Sequence, residues 1–76
     1  MIKAVIRLDS IDDVKDFVRK ANTLSYDVDL SLGKYTVDAK SIMGIFSLDL
    51  SRELELTIHS DKAELLDTIG RRIVKI

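Results

Sequence analysis

The chain has 76 residues, of which 46% are hydrophobic, and its 12 Lys and Arg residues nearly balance its 13 Asp and Glu residues. A chain of this length buries only about 60% of the surface that its unfolded form exposes, which predicts one domain over residues 1–76 with a two-layer core and no deep catalytic cleft. The net charge of −1 excludes the basic surface that nucleic-acid and anionic-membrane binders use. Because the chain has no Cys, disulfides, thiolate zinc sites and cysteine nucleophiles are excluded.

The first residues alternate between apolar and polar side chains. Ile2, Ala4, Ile6 and Leu8 lie on one side of this alternation, which is typical of a strand with one face on the core. The start of the chain has no basic segment followed by an apolar run, so it predicts neither a signal peptide nor a membrane span. We therefore expect a cytoplasmic protein.

From residue 11 the apolar period changes to that of a helix. The stripe contains Ile11, Val14, Phe17, Val18, Ala21 and Leu24. Ser10 is the predicted N-cap, and Asp12 and Asp13 follow in the first turn, where unpaired N–H groups favour negative charge. Asp12 and Asp16 lie one turn apart, but helix starts favour Asp for the same reasons, so we expect no metal site.

The middle of the chain predicts a hairpin, a short helix and a fourth strand. Residues 26–32 and 35–39 alternate on either side of Gly33 and Lys34, which predicts the hairpin. Ser41 precedes the apolar residues 42–48 and is expected to cap a short helix by accepting a hydrogen bond from the N–H of Met43 or Gly44. Residues 54–58 alternate again and predict the fourth strand.

The end of the chain predicts a third helix. Asp61 and Glu64 have the spacing of a capping box, and apolar residues at mostly helical spacing follow as far as Ile76. Gly70 costs such a helix about 1 kcal/mol, so residues 73–76 could instead be extended. One-sided strands with three amphipathic helices predict an α+β fold whose antiparallel sheet is covered on one face, with a ferredoxin-like arrangement as the alternative.

Residues 40–48, K-S-I-M-G-I-F-S-L, resemble the segment around the regulatory serine of HPr, the histidine-containing phosphocarrier family. Residues 27–30, 36–39 and 55–58 fit the same family, and so does the order of the predicted elements. The resemblance covers nearly the whole chain. It implies an open-faced two-layer β-sandwich with a four-stranded antiparallel sheet in the order 1-4-2-3 and three helices on one side.

The start of the first helix departs from the family. There the family has a His, followed two residues later by an Arg, and this His carries a phosphoryl group. Residues 8–13 contain neither, and the corresponding positions Asp9, Ser10, Asp12 and Asp13 form a degenerate phosphohistidine site. Its three carboxylates would repel a phosphate dianion. In the implied fold His59, the one histidine, lies about 20 Å away on the fourth strand, so it cannot replace the missing acceptor.

The resemblance implies that Ser41 is phosphorylated by a kinase in addition to capping its helix. The apolar residues that follow are too numerous for a short helix to bury on one side, and Met side chains form adaptable contact surfaces. We therefore expect Ile42, Met43 and Phe46 to form a docking patch for protein partners. Either Ile45 and Leu48 or Ile42 and Phe46 are expected to face the core, which leaves the others at the surface; in the alternative interpretation the segment is simply core.

Together these features predict an HPr-like regulatory or docking protein related to the bacterial phosphoenolpyruvate-dependent sugar phosphotransferase system. It is expected to be neither an enzyme nor a histidine phosphocarrier, and to need no cofactor or small-molecule substrate. The expected partners are an HPr serine kinase/phosphorylase, a transcriptional regulator or phosphotransferase-system proteins. The alternatives are a phosphocarrier that uses another acceptor and a constitutive protein-interaction module on an HPr scaffold.

Overall fold

A computed structural model describes residues 1–76 as an antiparallel five-stranded sheet with helices packed on one face. The strands are β1 (Ile2–Ile6), β2 (Val28–Leu32), β3 (Tyr35–Asp38), β4 (Leu54–Ile58) and β5 (Ile73–Lys75). The helices are α1 (Ile11–Ala21), α2 (Ile42–Phe46) and α3 (Glu64–Ile69). The sheet order β3-β2-β4-β1-β5 contains the expected order of four strands and adds a fifth at one edge. The predicted α+β fold class is therefore confirmed.

The core lies between the sheet and the helices. Alternation along the strands turns one side chain in two towards the helices, and these side chains are almost fully buried. The core residues are Ala4, Ile6, Leu8, Val14, Phe17, Val28, Leu30, Ala39, Ile45, Leu48, Leu54, Leu56, Ile58, Leu65, Leu66 and Ile69. Within the predicted α1 stripe, Phe17 is fully buried, whereas Ile11, the first residue of the helix, is 61% exposed. None of the helices is long and apolar enough to cross a membrane.

The β2–β3 hairpin closes through the two-residue turn Gly33–Lys34. Gly33 has a φ of +59° and no non-glycine residue has a positive φ, which is the pattern of a type II′ turn. This turn sets the register in which Leu32 faces Tyr35 and Leu30 faces Val37. The hairpin carries the chain directly into Ser41 and α2.

The C-terminal part of the chain differs from the prediction. The capping box of Asp61 and Glu64 is not formed, because α3 begins at Glu64 after Ala63 and has no side-chain cap, while Asp61 accepts a hydrogen bond from the N-terminal ammonium at 3.4 Å. The helix ends at Ile69 and does not reach Ile76. Gly70 has a φ of +49°, which ends the helix, and a 3₁₀ turn at Gly70–Arg72 then leads into β5 beside β1. The extended alternative for this segment is therefore correct for residues 73–75.

Candidate functional site

The start of α1 forms a closed hydrogen-bonded turn. The Ser10 hydroxyl accepts a hydrogen bond from the N–H of Asp13 at 3.0 Å, which makes it the N-cap that the sequence predicts. The Asp13 carboxylate accepts in turn from the N–H of Asp9 at 3.1 Å. Two backbone donors that would otherwise face solvent at the helix start are thus satisfied by side chains of this turn.

Two of the three carboxylates at this turn are paired with arginines. Arg72 donates from Nε and Nη2 to Oδ1 of Asp13, at 3.1 and 2.8 Å, and Arg7 donates from Nε to Asp9 at 3.2 Å. The hydrogen bond from Arg72 lowers the pKa of Asp13, although desolvation acts in the opposite direction. Arginine charge therefore offsets part of the negative charge of Asp9 and Asp13, whereas Asp12 is exposed and is in no ion pair.

Arg72 is the residue at this site that the sequence did not reveal. It is 59 positions away from Asp13, and its side chain also approaches Asp16, with Nη1 3.4 Å from the carboxylate. Asp16 pairs with Lys20 at 2.8 Å as well, and the hydrogen bond from Lys20 is the main cause of the lowered pKa of Asp16. Asp13 and Asp16 are thus both engaged with cationic side chains, whereas Asp12 is not. No group of three or more His, Cys, Asp or Glu side chains is arranged to hold a metal ion.

Ser41 lies at the surface and caps α2. Its hydroxyl accepts a hydrogen bond from the N–H of Gly44 at 3.1 Å, one of the two donors that the sequence offered. A Cβ atom on Gly44 would lie 3.3 Å from Cβ of Val37 and 3.4 Å from the Ser41 hydroxyl, so the glycine lets α2 approach β3 closely. Before Ser41, the Lys40 ammonium donates to the carbonyl of Leu24 at 2.9 Å and fixes the entry of the chain into this helix.

The short helix divides its apolar residues between core and surface. Ile45 and Leu48 are 0% and 8% exposed and pack in the core, as in the first of the two arrangements that the sequence allowed. Met43 is 76% exposed, Phe46 is 40% exposed, and Ile42 is partly buried against the core. Of the three residues of the predicted docking patch, Met43 and Phe46 therefore lie at the surface and Ile42 is partly buried.

Phe46 lies beside the start of α1. It shares an open groove with the loop between β1 and α1, and the lining residues are Arg7, Leu8, Asp9, Ser10, Ile11, Phe46, Leu50 and Ser51. The structure thus brings Asp9 and Ser10 of the degenerate site next to one residue of the patch, whereas Ser41 and Met43 do not line this groove. Ile11 and Leu50 extend the apolar surface, and the sequence pattern gave no signal for this because it assigned Ile11 to the core stripe.

His59 lies far from this groove. The β1–β4 register places Leu54 opposite Ile6 and Ile58 opposite Ile2, so His59 follows the end of β4 that is remote from α1. Its Nε2 is 2.7 Å from the Asp29 carboxylate in a partly exposed pair on the open face of the sheet. No imidazole is therefore present near the start of α1.

Solved structures of phosphocarrier proteins are similar to this chain. HPr-C-His from Thermoanaerobacter tengcongensis has 26% identity, with 91% of this chain and 86% of that chain covered and a TM-score of 0.77. The phosphocarrier protein HPr from Bacillus anthracis has 26% identity, 95% coverage of both chains and a TM-score of 0.72. The catabolite repression protein Crh from Bacillus subtilis, described as a domain-swapped dimer, has 30% identity, 91% and 82% coverage and a TM-score of 0.64. None of the curated proteins matches the chain.

A family model described as the PTS HPr component phosphorylation site matches residues 14–73. The match begins just after the residues of the degenerate site and includes the whole of the hairpin, α2 and β4. The matched range covers most of the 76 residues. The chain therefore belongs to the HPr family of phosphotransferase-system phosphocarrier proteins.

Proposed function

We propose that this chain is a regulatory or docking member of the HPr family that acts in the cytoplasm as one domain over residues 1–76, without histidine phosphocarrier activity. It catalyses no reaction itself and requires no cofactor or metal. One observation carries the proposal: Ser41 is exposed on the helix that exposes Met43 and Phe46, while the start of α1 has no imidazole. The partners are proteins, namely an HPr serine kinase/phosphorylase, a transcriptional regulator or other phosphotransferase-system proteins.

The side chains at the start of α1 are poor acceptors of a phosphoryl group. No His, Lys or Cys side chain lines the groove beside Ser10 that could act as a base for its hydroxyl. Asp9 and Asp13 place negative charge at the position that a phosphoryl group would occupy, although Arg7 and Arg72 offset part of it. This turn is better suited to holding the helix start than to carrying phosphate.

Ser41 is suited to act as a switch. A kinase would form a bond between the Ser41 oxygen and the γ-phosphorus of ATP, release ADP and leave the hydroxyl proton with its base. The modification adds a charge of about −2 beside Met43 and Phe46, which alters the affinity of the patch for a partner. The state of Ser41 would thus determine which protein binds α2.

Incubation with an HPr serine kinase and ATP tests this switch. We expect the intact protein to gain the mass of one phosphoryl group, Ser41→Ala to gain none and Ser10→Ala to behave as the intact protein. Ser10 is the matched control because it too is an exposed N-cap. If the intact protein gains no phosphoryl group, or if Ser41→Ala is still modified, Ser41 is not the switch.

A pull-down from extract of the host tests the docking patch. Met43→Asp should lose the bound phosphotransferase-system or regulatory protein, because a charge at the centre of an apolar contact must be desolvated. Tyr35→Asp is the control, since Tyr35 is an equally exposed side chain on the hairpin and outside the patch. Equal capture by both variants would show that the patch does not dock the partner.

Incubation with enzyme I and labelled phosphoenolpyruvate tests the alternative that the chain is a phosphocarrier with another acceptor. We expect no stable label on the intact protein, because the residues at the start of α1 include no phosphoryl-accepting imidazole. Label that survives in Ser41→Ala would show that the chain is a phosphocarrier with another acceptor. The chain is a constitutive interaction module if neither enzyme I nor the kinase modifies it and the intact protein still captures a partner that Met43→Asp does not capture.

A further inference from the structure

The chain makes a tight turn between β3 and Ser41, here called the serine turn (residues 38–40). The N–H of Lys40 donates to Oδ1 of Asp38 at 2.8 Å, and the N–H of Ser41 donates to the carbonyl of Asp38 at 3.0 Å. Between them Ala39 is fully buried, and its N–H donates to the carbonyl of Val28 at 2.8 Å. The backbone N–H groups of residues 39–41 are therefore all hydrogen-bonded.

The end of α1 holds the other side of the serine turn. Asn22 is the C-cap of this helix, and its Nδ2 donates to the carbonyl of Lys40 at 3.1 Å and to that of Val18 at 2.9 Å. In return, the Lys40 ammonium donates to the carbonyl of Leu24 at 2.9 Å. The serine turn is thus joined to the end of α1 by two hydrogen bonds that run in opposite directions.

The hydrogen bond from Asn22 fixes the peptide group that precedes Ser41. The N–H of this group belongs to Ser41 and donates to Asp38. Its carbonyl belongs to Lys40 and accepts a hydrogen bond from Asn22 alone. Because a peptide group is planar, bonds at both of its ends oppose its rotation between the two Cα atoms that it joins. The direction of the Ser41 side chain is therefore set relative to α1 as well as to α2.

Phosphoryl transfer to Ser41 depends on the direction of its hydroxyl. In the kinase reaction the Ser41 oxygen forms a bond with the γ-phosphorus of ATP, the bond from this phosphorus to the bridging oxygen of ADP breaks, and a base of the kinase takes the hydroxyl proton. The attacking and leaving oxygens are roughly in line, and a misplacement of about 1 Å can lower the rate of such a step about 100-fold. A side chain that orients Ser41 thus affects the transfer step even if it makes no contact with the kinase.

We propose that Asn22 is a positioning residue for phosphoryl transfer to Ser41: it holds the peptide group between Lys40 and Ser41 so that the serine hydroxyl is presented to the kinase in one direction. The inference rests on the proposed function, because it requires that Ser41 is the residue that the kinase modifies. It adds the end of α1 to the elements that determine this modification, outside the docking patch.

Single-turnover kinetics with an HPr serine kinase in excess test the proposal, since they separate binding of the protein from the transfer step. Asn22→Ala should lower the maximal rate constant of transfer about tenfold. The half-saturating kinase concentration should change less than about twofold, because the docking patch is intact. Thr23→Ala is the matched control and should behave as the intact protein: the Thr23 hydroxyl donates to the carbonyl of Lys20 at 2.7 Å, at the same helix end, but does not bond the serine turn.

Hydrogen exchange of the unmodified protein provides a measurement that does not involve the kinase. In Asn22→Ala the Ser41 amide should exchange about two- to tenfold faster, the range expected for the loss of one hydrogen bond, while the Ala39 amide is unaffected. Thr23→Ala should change neither amide. Asn22→Asp is a second variant that keeps the size of the side chain but presents only oxygen atoms to the Lys40 carbonyl, so it should repeat both effects of Asn22→Ala.

The possible outcomes distinguish this inference from the proposed function. If the kinase does not modify the intact protein, the proposed function fails and the inference fails with it. If the intact protein is modified, an unchanged rate constant in Asn22→Ala, unchanged exchange of the Ser41 amide, or equal effects of Asn22→Ala and Thr23→Ala would each overturn the inference alone. A change in the half-saturating concentration without a change in the rate constant would also overturn it, because Asn22 would then act in binding.

Discussion

Ile45→Ala should lower the free energy of unfolding by about 2–5 kcal/mol, whereas Met43→Ala should change it by less than about 0.5 kcal/mol. The two side chains lie on the same short helix, but Ile45 is fully buried and Met43 is 76% exposed. Truncation of Ile45 removes buried methyl groups and leaves a cavity, while truncation of Met43 removes only solvated atoms. Urea unfolding followed by circular dichroism measures both values.

The loss at Ile45 is large in relation to the whole stability of the chain. A domain of this length is stable by roughly 4–11 kcal/mol, so a loss of this size would leave the variant measurably unfolded without denaturant if the intact protein lies at the lower end of that range. A loss below about 1 kcal/mol would show that α2 does not pack as described. The same two variants distinguish core packing from partner docking, because Met43→Ala should weaken partner capture without lowering the free energy of unfolding.

Asp13→Asn should lower the free energy of unfolding by about 1–3 kcal/mol at neutral pH, because it removes the charge-assisted hydrogen bonds with Arg72. Asp12→Asn removes the same charge from the same helical turn but breaks no ion pair. It should therefore lose only the interaction with the helix start, about 0.3–1 kcal/mol. Equal losses in the two variants would contradict a specific role for the Arg72 pair.

The effect of Asp13→Asn should depend on pH in a defined direction. The pKa of Asp13 is lowered from 3.8 in the folded protein, so its carboxylate adds stability that is fully present above this value. That stability is lost as the pH falls through the lowered pKa, because protonation then breaks the pair with Arg72. Urea unfolding across this range should show the intact protein and Asp13→Asn converging in acid. A constant difference down to the lowest pH would contradict the assignment.

The local elements followed from the sequence because their signals are local. Alternation fixed β1, the hairpin and β4, and the hydroxyls of Ser10 and Ser41 cap the helices that the sequence predicted for them. The order of the first four strands came instead from the resemblance to the HPr family, since alternation does not tell which strands are neighbours. The sequence predicted Asp9, Ser10 and Phe46 as site residues, but it did not predict that the three residues line the same groove.

The remaining features depend on contacts between distant parts of the chain. Apolar residues at 69, 73 and 76 fit a helix, and only the positive φ of Gly70 and the free edge of β1 favour a strand there. The ion pair of Arg72 with Asp13 joins residues 59 positions apart, for which a single sequence carries no signal. Likewise, five apolar side chains in α2 and its end cannot be divided between core and surface until the position of β3 is known.

Because the Ser41 hydroxyl is hydrogen-bonded to the N–H of Gly44, an enzyme that modified it would meet it as part of a folded helix start. Most of the residues around this serine are fixed in β3 on one side and in α2 on the other, so the chain cannot be drawn out as an extended ligand without dismantling both elements. An enzyme that acts on the folded protein must therefore read a surface assembled in three dimensions. A synthetic peptide of the same sequence would lack this folded surface and should be a poor substrate for such an enzyme.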